Sequence, residues 1–198
     1  DVGREAEHRL AMLEPLAYPA YKTVVSSGDR AAYLERVASS KIINRGEIVM
    51  IDAGCRYEGY YSEFSRHVMV GEPAKEQKKM YRTAFEAEQE AIKAIKPGLK
   101  ASKIDRIARD IIEKANYEEY QHQHYTGHGQ GVGLHDPPII GDPGQQTEYI
   151  LEPGMVIAIE PGLFKPGVGG VRVEDVVLVT EKGHEILSKV GYEDKLLE

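Results

Sequence analysis

The chain has 198 residues, 41% of them hydrophobic and 29% charged, with a formal net charge of -7; that is an ordinary globular balance and enough chain for one sizeable core or two small ones. No Lys/Arg block forms a basic stripe, which argues against a nucleic-acid partner, and "KEQKK" (75–79) interleaves with acids as a solvated helix face. No apolar stretch approaches the roughly 18 residues of a bilayer span and no signal peptide opens the chain, so no membrane partner is expected. The lone Cys55 forbids an internal disulfide, which makes the cytoplasm the default compartment. Asp1 rather than Met opens the chain and an amphipathic segment starts at once, so residues 1–198 read as one domain, a C-terminal piece of a longer protein.

Residues 3–14 put Ala6, Leu10 and Leu13 on one helical face, and Pro15 stops the run. "YKTVVSSG" (21–28) predicts a short strand. The apolar run Ile48–Ile51 predicts a strand that leads into a hairpin turning near "YEGY" (57–60). Residues 74–95 predict a long helix with Met80, Ala84, Ala87, Ala91 and Ile95 on one stripe, ended by "KPG" (96–98). Ser102 is placed to cap a second helix whose apolar positions are Ile104, Ile107, Ala108, Ile111 and Ile112. Two more strands follow at 154–160 and 171–180, and "HEIL" (184–187) suits a closing strand. Strands and helices alternate without a linker or exact repeat, which predicts a single α+β domain.

Two segments echo one another. "IVMID" (48–52) and "MVIAIE" (155–160) are each an apolar strand with an acid at its exit, followed by Gly and a second acid, Glu63 or Glu174, on a returning strand. A bare buried anion is costly, so these acids need partners. Four acids in one place would repel and protonate unless divalent cations relieved them. The plainer alternative is pairing with Arg56, Arg66 or Arg172. "HYTGHGQGVGLHDPP" (124–138) offers imidazoles at His124, His128 and His135 among closely spaced glycines, a density that argues against an ordinary helix or a stiff strand interior.

Asp52 with an acid eleven residues on, "GHG" at 127–129 with a His seven beyond His128, "IEPG" at 159–162 and "VRVED" at 171–175 resemble the pita-bread metallopeptidases, the family of Xaa-Pro aminopeptidase, prolidase and methionine aminopeptidase. The resemblance runs from about residue 21 to residue 187. It implies a curved antiparallel sheet backed by helices. It also implies a two-metal site in which Asp52 chelates the first ion, Glu63 and Glu174 bridge, and His128 and Glu160 hold the second. Mn2+ is the first choice of ion, with Co2+, Fe2+ or Zn2+ as alternatives. The activity implied is Xaa-Pro peptide hydrolysis by a metal-bridging hydroxide, with Glu160 as proton shuttle, His135 and His124 donating to the carbonyl oxygen and intermediate, and Arg172 orienting carboxylates. The full-length protein would be a homodimer.

Two positions depart from the family pattern. "SEFSR" carries Glu63 where the pattern S-D-x-T-R has Asp, which leaves one metal as an alternative to two. "SGDRAAYLERVAS" (27–39) carries Glu35 where peptide-cleaving relatives have His. The competing readings are therefore a creatinase-like amidohydrolase or lyase acting on a small non-peptide substrate, and a catalytically silent binding domain.

Overall fold

The apolar run that ends in Asp52 is the spine of the first of three antiparallel sheets among the described residues. The computed structural model describes residues 1–13, 16–33, 37–142, 144 and 147–198; Pro15 and Glu35 lie outside the described residues, as does the side chain of Leu13. After helix α1 (Val2–Leu13) come β1 (Ala17–Pro19), β2 (Val24–Ser27), β3 (Ile48–Tyr57) and β4 (Tyr60–Met69). β3 pairs with β4 over its whole length, and its other edge is shared by β2 near Asp52 and β1 near Cys55. The hairpin turn expected at 57–60 is Glu58–Gly59, with φ of 48° and 92°. Two consecutive positive φ values give a turn whose twist matches that of the strands it joins.

Helices α2 (Lys75–Lys93) and α3 (Ala101–Lys114) follow. Met80, Ala84, Ala87, Ala91 and Ile95 are buried, as the helical stripe predicts. The N-terminus of α3 is a correction: Ser102 lies inside the helix and caps nothing. Glu148, from a distant loop, accepts from the Ser102 amide at 3.3 Å and its hydroxyl at 2.7 Å, putting an anion at the positive end of the helix.

The rest of the chain builds β5 (Gly127–Gly129), β6 (Asp136–Ile140), β7 (Val156–Ile159), the hairpin β8 (Gly162–Lys165) and β9 (Gly169–Arg172), then β10 (Asp175–Val179), β11 (His184–Ile186) and α4 (Asp194–Leu197). The second sheet runs β11-β10-β7-β5-β6, and β8–β9 stands apart as a two-stranded sheet. The strand expected over 171–180 is therefore two strands in different sheets. The chain breaks between them at Val173–Glu174, where Glu174 makes an isolated main-chain bridge to Ser65 of β4. β7 and β10 do pair, as the echo of the first hairpin suggests, but with β8–β9 inserted between them.

Ile157, Ile159, Val177 and Val179 join α2 and α3 in one buried apolar cluster. Strand side chains alternate, so sending Ile157 and Ile159 to the helices turns Ala158 and Glu160 to the opposite face. By the same rule Asp175, in register with Ile159, faces the helices, and Glu174 faces away.

Candidate metal centre

On the first sheet Asp52 is in register with Ser65, and Gly54 with Glu63. Residues two apart share a face, so Asp52, Glu63 and Ser65 project together. Both acids are buried, Asp52 at 3% exposure and Glu63 at 7%. Ser65 carries the link to the other side, its hydroxyl donating to Glu174 Oε2 at 2.8 Å.

His128 comes from the second sheet. Contrary to the expectation from glycine density, "GHG" is a strand, held between β6 and β7. The glycines serve close approach: a Cβ on Gly127 would stand 2.0 Å from the Ala158 carbonyl oxygen, and one on Gly129 2.2 Å from that of Pro137. His128, between them, points to the face of Ala158 and Ile139, its register partners.

The ring of His128 is oriented from behind. Its Nδ1 lies 3.0 Å from the Gly129 carbonyl oxygen, which can only accept, so Nδ1 carries the proton. In the neutral ring Nε2 then bears the electron pair, and it lies 3.2 Å from Glu63 Oε1 and 3.5 Å from Glu160 Oε1. Three electron-rich atoms facing one another require a cation among them, either a proton on the ring or a metal ion. Glu63, His128 and His135 also offer ligand atoms all within 4.8 Å of one another, the His135 ring standing edge-on to His128 at 4.3 Å. The family resemblance implies His135 as a donor to substrate, and its place beside Glu63 and His128 makes it a candidate ligand as well.

The plainer alternative, pairing with arginine, is realised in part. Arg172 contacts Asp52 Oδ2 through Nη2 and Glu160 Oε2 at 3.3 Å through Nη1. Arg66 goes instead to Asp175, and Arg56 lies over the Tyr61 ring. Arg172 thus serves two of the four acids, Asp52 and Glu160, while Glu63 meets Gln130 and His128 and Glu174 meets Ser65. Burial first, and then the charge of Glu63, push Glu174 up to about 7. Its Oε1 is buried and has no hydrogen-bond partner among the described residues. Hard carboxylate oxygens joined by an imidazole are a donor set for Mn2+, Co2+, Fe2+ or Zn2+, so the residues present fit a divalent ion.

A cavity of about 520 Å³ opens over this cluster, lined by Asp52, Glu63, His124, His128, His135, Glu160 and Arg172 among others. Of the expected site residues only Glu174 is absent from its wall; at 1% exposure it sits behind Ser65. The His124 Nδ1–H donates to the Tyr125 carbonyl at 2.6 Å, so its Nε2 donates only when the ring is charged. Besides Ser65, Tyr21 and Gln130 are site residues that no sequence pattern marks. Tyr21 lines the cavity and donates its hydroxyl to Asp52 Oδ1, and Gln130 donates to Glu63 Oε1 at 2.8 Å. Burial, then the charges of Glu174 and Glu63, push the Tyr21 hydroxyl above the usual phenol range, so it remains a donor.

Paired antiparallel sheets, helices on one face and a hollow of acids and imidazoles on the other define a pita-bread domain. The chain belongs to metallopeptidase family M24, whose family model matches residues 1–181, and membership implies divalent metal ions. The Xaa-Pro dipeptidase of Pyrococcus furiosus is 44% identical over 175 residues, covering 88% of this chain and 49% of that protein. The Xaa-Pro dipeptidase of Pyrococcus horikoshii is 43% identical over the same shares. Among solved structures, the prolidase from Pyrococcus furiosus matches with a TM-score of 0.90 at 42% identity, over 96% of this chain and 55% of that one. The X-Pro aminopeptidase from Thermotoga maritima gives 0.89 at 33% identity, over 97% and 53%. The chain thus spans about half the length of the curated relatives it matches. Among the described residues no helix is long and apolar enough to cross a membrane.

Proposed function

We propose that this chain is the catalytic part of a metal-dependent Xaa-Pro peptidase, a dipeptidase or aminopeptidase, with Asp52, Glu63, His128, Glu160 and Glu174 holding two divalent ions, Mn2+ by preference. The observation that carries the reading is His128 Nε2 facing oxygens of Glu63 and Glu160 at 3.2 and 3.5 Å, with Nδ1 turned to the Gly129 carbonyl. A backbone carbonyl fixing the far nitrogen is how ligand histidines are oriented. The names of the Pyrococcus relatives supply the substrate class.

Bound divalent ions would acidify a water and polarise the scissile carbonyl. The rest falls to the chain. Arg172 holds Glu160 Oε2, and this carboxylate, at the cavity wall, takes up and returns a proton. His135, at the cavity wall, donates to the carbonyl oxygen as charge builds there. Val24, Leu134 and Ile139 give the cavity apolar wall that suits a pyrrolidine ring.

The test is to strip the full-length protein of metal, restore Mn2+ or Co2+, and assay Xaa-Pro dipeptides, longer peptides beginning Xaa-Pro, and small non-peptide amides. Release of the residue ahead of proline, abolished by chelator, is the expected result. Elemental analysis finding no divalent metal in the protein as purified would overturn it. Cleavage of the non-peptide amides alone would transfer the chain to the creatinase-like branch. Partner capture that persists in chelator, without hydrolysis, would make it a binding domain.

A further inference from the structure

Glu174 and Asp175 are neighbours on opposite faces, one beside Ser65 at the candidate metal centre and the other toward α2. Arg66, the residue after Ser65, connects the two faces. Its Nη1 donates to the main-chain oxygens of Ser65 at 2.9 Å and Glu174 at 2.6 Å, the two residues of the bridge that joins β4 to the start of β10. Its Nη2 pairs with Asp175 Oδ1, and its Nε donates to the Val190 carbonyl at 3.0 Å. The Tyr192 ring lies 4.6 Å from the guanidinium carbon, and the Tyr192 hydroxyl donates to Asp175 Oδ2 at 2.6 Å.

We infer that Arg66 is a positioning residue of the metal centre: by clamping the Ser65–Glu174 bridge to Asp175 and to the C-terminal segment around Val190 and Tyr192, it sets the spacing between Glu63 and Glu174. The inference rests on the function proposed above. All three guanidinium nitrogens are committed, and the fork spans acceptors on four separate residues. A lysine keeps the charge but, as a single point donor, cannot hold that geometry. Glu63 lies two residues before Ser65 on β4, and Glu174 is the other half of the bridge, so a slip at Arg66 moves one acid against the other. The C-terminal segment, far from the cavity in sequence, thereby becomes a support of the site.

The experiment is calorimetric Mn2+ titration of chelator-stripped full-length protein, comparing wild type, Arg66→Lys, Tyr192→Phe and, as a stability control in the α3 core, Ile112→Val. Arg66→Lys is expected to weaken Mn2+ binding about 10- to 100-fold while the far-ultraviolet circular dichroism stays that of wild type. Tyr192→Phe, which removes one hydrogen bond from Asp175, is expected to weaken it about fivefold. Ile112→Val is expected to lower Tm and leave Mn2+ affinity unchanged. Wild-type affinity and stoichiometry in both clamp variants would overturn the inference alone, as would an equal loss in the control. If Arg66→Lys fails to fold, Tyr192→Phe decides. A wild type that binds no Mn2+ would overturn the proposed function and the inference together.

Discussion

The Tyr21 hydroxyl donates to Asp52 Oδ1 from thirty-one residues away in sequence, opposite the Arg172 guanidinium on Oδ2. Asp52 is thus held on both oxygens by groups of different kind, a neutral donor and a cation. Phenylalanine in place of Tyr21 keeps the ring and removes the donor. Because partners that orient a ligand affect affinity strongly, Tyr21→Phe is expected to weaken Mn2+ binding and lower kcat/KM about tenfold, with little change in Tm. Isothermal titration beside a thermal melt checks it, and unchanged Mn2+ affinity would show that Arg172 alone positions Asp52.

Glu63 replaces the aspartate of the family pattern, and the structure shows what its extra methylene does. The carboxylate reaches Gln130 at 2.8 Å and His128 at 3.2 Å. Aspartate would withdraw it by about 1.5 Å, one carbon–carbon bond, and lose both contacts. Glu63→Asp is therefore expected to reduce Mn2+ affinity about tenfold, because misplacement of that size is costly at a metal site. A gain in affinity and in Xaa-Pro cleavage would instead mean that the longer side chain is a defect.

How much of this was legible in the chain depends on the reach of each contact. Asp52 and Glu160 end apolar runs, a local pattern that strand alternation converts directly into an acid at a sheet face. The α2 stripe is legible for the same reason. Tyr21, Gln130 and Ser65 are not, because each meets its carboxylate through register between distant strands, and nothing local in sequence encodes that register. Glycine was misread at 127–129. Its density argues against a stiff strand, yet the missing side chains make room for neighbouring backbone of β6 and β7, and the segment is a strand. Ser102 is no cap for a related reason: its partner Glu148 lies forty-six residues on, beyond α3, β5 and β6.

His122 gives the fold an acid limit. Burial first, then the nearby charges of His124 and Arg109, lower its pKa from 6.5 to about 3. The unfolded chain binds a proton at this ring below about pH 6.5, whereas the native ring stays neutral until about pH 3. The contribution is therefore fully present above 6.5 and is lost as pH falls toward 3. His122→Asn removes the titration and keeps an acceptor for the Gly162 amide, which His122 Nδ1 accepts at 3.3 Å. The expected outcome is a shallower fall of Tm between pH 6.5 and 4 than in wild type. Parallel curves would mean that His122 is protonated in the native state.

Arg109 on α3 holds the segment that carries His124 and Tyr125 into the cavity wall. Its two terminal nitrogens donate to the carbonyl oxygens of His122 and His124, each at 3.2 Å, while its Nε pairs with Asp105 at 3.0 Å. Asp105 in turn accepts from the Thr126 hydroxyl at 2.6 Å, so one helical pair grips the segment at both ends. The segment meets the metal centre through main chain, the Glu160 amide donating to the Thr126 carbonyl oxygen at 2.7 Å, a bond that a change at Arg109 leaves in place. Arg109→Lys, which keeps the charge on Asp105 but cannot bridge two carbonyls, is expected to raise KM for an Xaa-Pro dipeptide about tenfold. Mn2+ affinity is expected to stay that of wild type. Steady-state kinetics with a parallel metal titration separates the two effects: a loss confined to kcat, or one that tracks metal affinity, would move Arg109 from the substrate wall to the metal site.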